Sequence, residues 1–175
     1  MPARTELDRR LDDLHVAVVQ VGARVVEALH RAMTALDRSD SALATEVVVG
    51  DDAIDAACST IERLSLQVIA LHQPLVGDLR RALAGLMIAE ELERMGDHAQ
   101  GIAHLVTRLP GAPERPTLYA LGELGRVVRQ QVETALAAYD AGDAAVDERY
   151  GDLAQALMGD MEVAQGTTTM DTYLL

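Results

Sequence analysis

The sequence predicts an all-α protein made of tandem antiparallel three-helix bundles, of which the second is incomplete. Apolar residues recur at helical spacing over stretches of about thirty residues, which is far longer than a strand. Only 2% of the 175 residues are aromatic, so the core must be built from Leu, Val, Ile, Ala and Met, which suit helix packing. Short polar segments join the stretches, as is typical of antiparallel bundles.

The first two helices are predicted from apolar spacing and from the residues that would begin and end them. Helix 1 is expected over residues 6–37, where apolar residues alternate at steps of four and three. Helix 2 is expected to begin at Asp40 or Ser41, which can act as N-caps, and to end at His72 because Pro74 follows. The apolar positions of helix 1 are Leu7, Leu11, Leu14, Val18, Val21, Val25, Leu29, Met33 and Leu36.

A third helix is expected from about Leu79, with Asp78 as its N-cap, to about Leu109. Residues 110–116 contain three prolines and a glycine, which exclude a regular helix, and we interpret them as a linker. Residues 1–109 are therefore expected to form the first three-helix unit.

The second half of the chain repeats the first in a shortened form. A fourth helix is expected over residues 117–139, and residues 117–175 as a whole would be a second three-helix unit. This unit ends where its own acidic helix should begin, so the second bundle is expected to be truncated. The aligned segments are 35–40 with 138–143, 54–55 with 146–147, and 87–88 with 174–175.

Composition and charge exclude several classes of function. A net charge of −13 without a basic patch or stacking aromatics argues against nucleic-acid binding, while it suits metal cations or a basic protein surface. No apolar run approaches the roughly 18 residues of a membrane span, and the N-terminus is charged, so we expect a cytoplasmic protein. Cys58 is the single cysteine, which excludes a disulfide framework. Neither a nucleophile with its base nor a phosphate loop is apparent, so we do not expect an enzyme.

Helix 3 carries a stripe of carboxylates near its middle. At about 100° per residue, Glu90, Glu93 and Asp97 fall within about 60° of one another. Like charges on adjacent turns repel, so the stripe favours a bound cation or a basic partner. Gly96 and Gly85 lie in the same helix although a mid-helix glycine costs about 1 kcal/mol, which indicates close approach of a neighbour or ligand.

Helix 2 carries a second acidic pair, Asp51 and Asp55, one turn apart. Asp51 lies about ten residues into the helix, too far for its charge to complement the helix dipole. Two carboxylate pairs on adjacent helices are the minimum for a multi-carboxylate metal site, and the alternative is a solvated acidic face. Oxygen donors suit Mg, Mn, Ca or Fe better than zinc in a closed site. The expected metal ligands are Glu93, Asp97, Asp51, Asp55 and Glu90.

The histidines give a weaker signal. Glu27 and His30 have the Glu-x-x-His spacing of di-iron carboxylate bundles, but the chain contains no second such motif. His98 lies about 100° from the carboxylate stripe and is expected to flank it rather than to bind metal. A metal-binding helical bundle with storage or redox activity is therefore an alternative function.

Several segments together resemble the PhoU family of phosphate-signalling regulators. They occur in the family's order and at its spacing, and the resemblance covers about residues 6–109, with a weaker match over the tail. The segments are 26–29, 51–55, 69–74 followed by 78–80, and 92–99 with the sequence Leu-Glu-Arg-Met-Gly-Asp-His-Ala.

The resemblance implies a pair of three-helix bundles that usually associate as homodimers and bind metal through Glu/Asp-x-x-x-Asp motifs. Glu93 and Asp97 match such a motif first, then Asp51 and Asp55, whereas Glu90 is added from helical geometry. The second half lacks its own motif, so one metal site per chain is expected. The expected cofactor is a divalent or ferric ion, namely Mg, Mn, Fe or Zn.

The resemblance also implies a cytoplasmic negative regulator of the phosphate-starvation response. It implies coupling between the ATPase subunit of a phosphate-uptake ABC transporter and a membrane sensor histidine kinase, with membrane association only through these partners. A third possibility is a truncated paralogue without function, because the second unit is shortened.

Overall fold

The computed structural model describes residues 2–108 and 115–141, and these residues form four helices and no strand. The all-α prediction is confirmed. None of these four helices has the combination of length and apolar composition that spanning a bilayer requires. The helices are α1 (Pro2–Arg38), α2 (Ser41–His72), α3 (Val76–Arg108) and α4 (Arg115–Asp140).

The start of α2 follows from the side chain of Asp40. Its carboxylate accepts hydrogen bonds from the backbone N–H groups of Ala42 and Leu43, both at 3.0 Å, and so caps two of the amides that a helix start leaves unpaired. At the other end, Gln73 adopts a left-handed conformation with a φ of 44°, directly before Pro74. The predicted N-cap and the predicted end of this helix are both confirmed.

The start of α3 differs from the prediction, since the helix begins at Val76 and not beside Asp78. The N–H of Leu79 donates to the carbonyl of Leu75 at 2.8 Å, so helical hydrogen bonding has already begun there. Asp78 lies in the first turn, where its carboxylate accepts a 2.6 Å hydrogen bond from Arg4 of α1. The N-cap prediction was wrong because the helix begins two residues before Asp78, which therefore lies within the first turn.

The start of α4 also differs, because Arg115 and Pro116 were predicted as linker and are helical. Proline fits the first turn of a helix, where its missing N–H would have no intrahelical partner. The predicted linker residues 110–114 lie outside the described residues. The same holds for the part of the predicted second unit that follows residue 141.

The helices α1, α2 and α3 contact one another pairwise and form a three-helix bundle. Among the four described helices, α4 contacts α1 alone. It runs antiparallel to α1, since Gly22 of α1 lies against Leu136 and Gly125 of α4 lies against Met33.

A buried apolar stripe places α1 at the centre of the core. Eight of its nine predicted apolar residues are buried, and Met33 is half-buried against them. Complete burial of a Leu or Val side chain contributes about 1.5–3 kcal/mol, so this stripe is a main source of stability. The predicted close packing at Gly85 of α3 is confirmed, because a Cβ there would lie 2.9 Å from Cδ2 of Leu14.

Candidate metal centre

A close approach between α2 and α3 occurs at Gly96. A Cβ atom at this position would lie 3.1 Å from Oδ1 of Asp51 and 3.2 Å from Cγ2 of Ile54. A side chain at position 96 would therefore require Asp51 or Ile54 to shift by a few tenths of an ångström. The predicted close approach of a neighbour is confirmed, and it brings the acidic segment of α2 against the acidic segment of α3.

Three aspartates meet at this contact. Asp51, Asp55 and Asp97 each offer one carboxylate oxygen, and these oxygens all lie within 4.8 Å of one another. Their burial is graded: Asp51 is only 4% exposed, Asp55 is half-buried and Asp97 is exposed. The cluster is therefore anchored in the protein at one end and open to solvent at the other.

Burial and the neighbouring carboxylate charges raise the pKa of Asp51 and of Asp55. Burial raises the pKa of Asp51 to about 6, with further contributions from the charges of Asp55 and then Asp97. The pKa of Asp55 is also raised, first by burial and then by Asp97. For Glu93, burial is again the largest cause of a raised pKa, followed by the charge of Asp55. The metal-free arrangement thus disfavours full ionisation of the cluster.

The geometry of the cluster fits a hard cation. Oδ1 of Asp55 is buried and has no hydrogen-bond partner among the described residues, although a buried carboxylate oxygen normally has one. Oxygens that bind one Ca²⁺ ion at about 2.3–2.6 Å are at most about 5 Å apart, and those around Mg²⁺ at most about 4 Å. Separations within 4.8 Å are compatible with a shared ion after small side-chain movements.

The other two predicted ligands lie beside the cluster and not within it. Glu93 is half-buried and Glu90 is exposed. Both line an open cleft of about 370 Å³, whose other lining residues are Glu62, Leu86, Arg94 and Asp97. Glu62 was absent from the predicted ligand set, although its place seven residues after Asp55 predicts the same side of α2.

Two further sequence signals lie outside the aspartate cluster. Glu27 and His30 are exposed on α1, whereas the cluster belongs to α2 and α3. Cys58 is fully buried, and burial raises the pKa of its thiol to about 12, with a smaller contribution from the charge of Glu93. A thiol of this kind stays protonated and is unreactive.

Comparisons with known proteins agree on one family. The PhoU domain matches residues 18–106. A phosphate-specific transport system accessory protein PhoU homolog from Aquifex aeolicus is 32% identical over 164 residues, which cover 87% of this chain and 74% of the relative. A protein of the same name from Streptococcus pneumoniae is 29% identical over an alignment of 186 positions, gaps included. This alignment covers 98% of this chain and 86% of the relative.

The fold has a close match among solved structures. The crystal structure of the phosphate transport system regulatory protein PhoU from Streptococcus pneumoniae superposes with a TM-score of 0.71 at 28% sequence identity. The superposition covers 86% of this chain and 74% of that structure. The similarity in sequence and the similarity in fold therefore each extend over most of the chain.

Proposed function

Because this chain belongs to the PhoU family, we propose that it is an accessory protein of a phosphate transport system that regulates phosphate uptake and phosphate-starvation signalling. The match that carries the proposal spans residues 18–106, which include the helices that hold the carboxylate cluster. The relatives from Aquifex aeolicus and Streptococcus pneumoniae are named as accessory proteins of phosphate-specific transport.

In this proposal the chain is a cytoplasmic, homodimeric adaptor that catalyses no reaction. It docks on the ATPase subunit of a phosphate ABC transporter and on a sensor histidine kinase, and it represses the starvation response when phosphate is plentiful. Two properties support docking on proteins. Several large apolar side chains are exposed on the described helices, and the net charge of −13 suits a basic partner surface.

A reporter gene that is switched on by phosphate starvation tests the adaptor role. Deletion of the gene should derepress the reporter in phosphate-rich medium, and the chain supplied in trans should repress it again. A strain that lacks every PhoU-family gene is the control for redundancy. If the chain leaves the reporter of that strain unchanged although it is expressed and folded, the proposed function is wrong.

We further propose that Asp51, Asp55 and Asp97 bind a divalent or ferric cation, with Glu93 beside them. Support comes from the buried carboxylate of Asp51 and from the buried, unpartnered oxygen of Asp55. A bound cation would relieve the repulsion among the carboxylates and tie α2 to α3. It has a structural role in this proposal, as expected for a regulator.

Metal analysis of purified chains tests the cation site. Asp97→Asn should reduce the bound Mn²⁺ or Fe³⁺, whereas Asp52→Asn should not, because Asp52 is exposed and lies outside the cluster. Equal metal content in the two variants would show that the aspartate cluster is not the metal site.

The alternative of a metal-storage or redox bundle has less support. A di-iron centre of that class uses Glu-x-x-His motifs that project inward from facing helices. Glu27 and His30 are exposed on α1 instead. An assay of ferrous iron oxidation separates the two functions, and sustained oxidation by the chain would favour the alternative.

A further inference from the structure

The outer groove between α2 and α3 changes from acidic to apolar along its length. Its acidic half is the cleft described above, where four carboxylates outnumber the single cation, Arg94. Its other half leads to the turn between the two helices and carries large apolar side chains that solvent reaches. These side chains are Leu66 of α2, Leu83 and Met87 of α3, and Leu75 and Val76 beside the turn.

The change from acidic to apolar side chains occurs at the same level on α2 and on α3. On α2, Leu66 follows Glu62 by one turn, and on α3, Met87 precedes Glu90 by one turn. Glu62 and Leu86 both line the cleft, so α2 and α3 face each other at this level. Because the helices are antiparallel neighbours joined by a short turn, both continue from here towards the apolar end.

The apolar half of this surface is unusual in its composition. Leu66, Leu83 and Met87 are 57%, 41% and 66% exposed, and Leu75 and Val76 beside the turn are 79% and 70% exposed. Monomeric proteins rarely expose contiguous apolar areas of this kind outside interaction sites. The acidic half selects against a second copy of this chain, whose own net charge is −13.

We propose that this groove binds an amphipathic helix of a protein partner, with apolar side chains against Leu66, Leu83 and Met87 and with Arg or Lys side chains against Glu62 and Glu90. The groove is about 30 Å long from residue 51 to residue 72 of α2, which matches a helix of about twenty residues. Amphipathic helices in grooves are a common mode of protein recognition. The inference rests on the proposed function, which names the ATPase subunit and the sensor kinase as partners, and it assigns this groove to the ATPase subunit.

Binding of the purified ATPase subunit to the full chain, measured by calorimetry, tests the site. The triple variant Leu66→Ser, Leu83→Ser, Met87→Ser should weaken binding by about tenfold or more, because central apolar contacts dominate interface affinity. The matched control replaces Val16, Leu105 and Val49 by Ser. Their exposures of 51%, 42% and 69% resemble those of the tested residues, but the three lie away from the apolar half of the groove.

The acidic half is tested separately. Glu62→Gln with Glu90→Gln should weaken binding and flatten its dependence on salt, since the lost contacts are charge pairs. A photo-crosslinker at position 87 should capture the ATPase subunit through a segment with basic residues at one end. The same crosslinker at position 49 should not capture it. This measurement needs a single exposed substitution, so it holds even if the triple variant folds poorly.

The outcomes separate the inference from the function on which it rests. If the wild-type chain binds the ATPase subunit and the triple variant binds equally well, the groove is not the site while the proposed function stands. Crosslinks at position 49 in place of 87 would have the same meaning. If the triple variant converts a dimer into a monomer, the occupant is a second copy and the inference is wrong. If the wild-type chain binds neither the ATPase subunit nor the kinase, the proposed function and the inference both fail.

Discussion

Replacement of Asp51 by Asn probes the electrostatics of the carboxylate centre directly. Burial, together with the charges of Asp55 and Asp97, raises the pKa of Asp51 from 3.8 to about 6. The folded, metal-free chain therefore keeps a proton that the unfolded chain releases in this range. The contribution of Asp51 to stability is fully present below pH 3.8 and is lost as the pH rises through about 6.

The expected size of the effect follows from this shift in pKa. At about 1.36 kcal/mol per unit of pKa, the shift from 3.8 to about 6 corresponds to at most about 3 kcal/mol. Asn has nearly the same shape and no charge. In the presence of EDTA near neutral pH, Asp51→Asn should therefore raise the free energy of unfolding by up to about 3 kcal/mol. The difference from the wild type should shrink towards zero near the unfolded pKa.

Urea unfolding followed by circular dichroism, in EDTA and across this range of pH, measures the difference. Asp52→Asn is the matched control, and its effect should stay below about 0.5 kcal/mol because Asp52 is exposed and is only a minor cause of the raised pKa of Asp51. Saturating Mn²⁺ should close the gap, since a cation at about a hundred times its Kd adds about 2.7 kcal/mol to the wild type alone. Parallel pH profiles for wild type and Asp51→Asn would refute the reasoning, as would a variant less stable than wild type at neutral pH in EDTA.

Three further predictions concern the site and the helices around it. Glu93→Ala combined with Asp97→Ala should abolish bound metal in elemental analysis, and unchanged metal content would contradict the assignment. Gly50→Ala should raise stability in thermal melts by up to about 1 kcal/mol, since a Cβ there meets no atom within 4 Å. Gly96→Ala should gain less, because its Cβ would press on the carboxylate cluster, and an equal gain would count against that contact. Asp40→Ala should lower stability by about 1 kcal/mol through loss of the N-cap, and an unchanged urea midpoint would contradict this role.

Helix bounds could be predicted where neighbouring residues determine them and not where distant residues do. The start of α2 depends on Asp40 and on amides two and three residues further along the chain, which the sequence displays directly. In the first turn of α3, by contrast, Asp78 pairs with Arg4, which lies 74 residues earlier and meets it only in the folded bundle. The contact of α4 with α1 alone is likewise a property of packing and not of any local pattern.

The candidate site was predictable in its residue types but not in its exact membership. Helical periodicity places Glu90, Glu93 and Asp97 on one side of α3, but that side covers about a quarter of the helix circumference. Which of them meets α2 depends on the rotation of the two helices about their axes. The close contact at Gly96 sets that rotation, so that Asp97 joins Asp51 while Glu90 lines the cleft.

The central position of α1 has a mechanical consequence. It is the one described helix that contacts all three others, and its 37 residues span about 55 Å. Because the backbone of α4 packs against α1 and not against α2 or α3, a displacement of α4 reaches the aspartate cluster chiefly by moving α1. Close-packed side chains transmit such a movement as strain instead of absorbing it. A partner that binds α4 would therefore act on the cluster through the rotation or sliding of a single rigid helix.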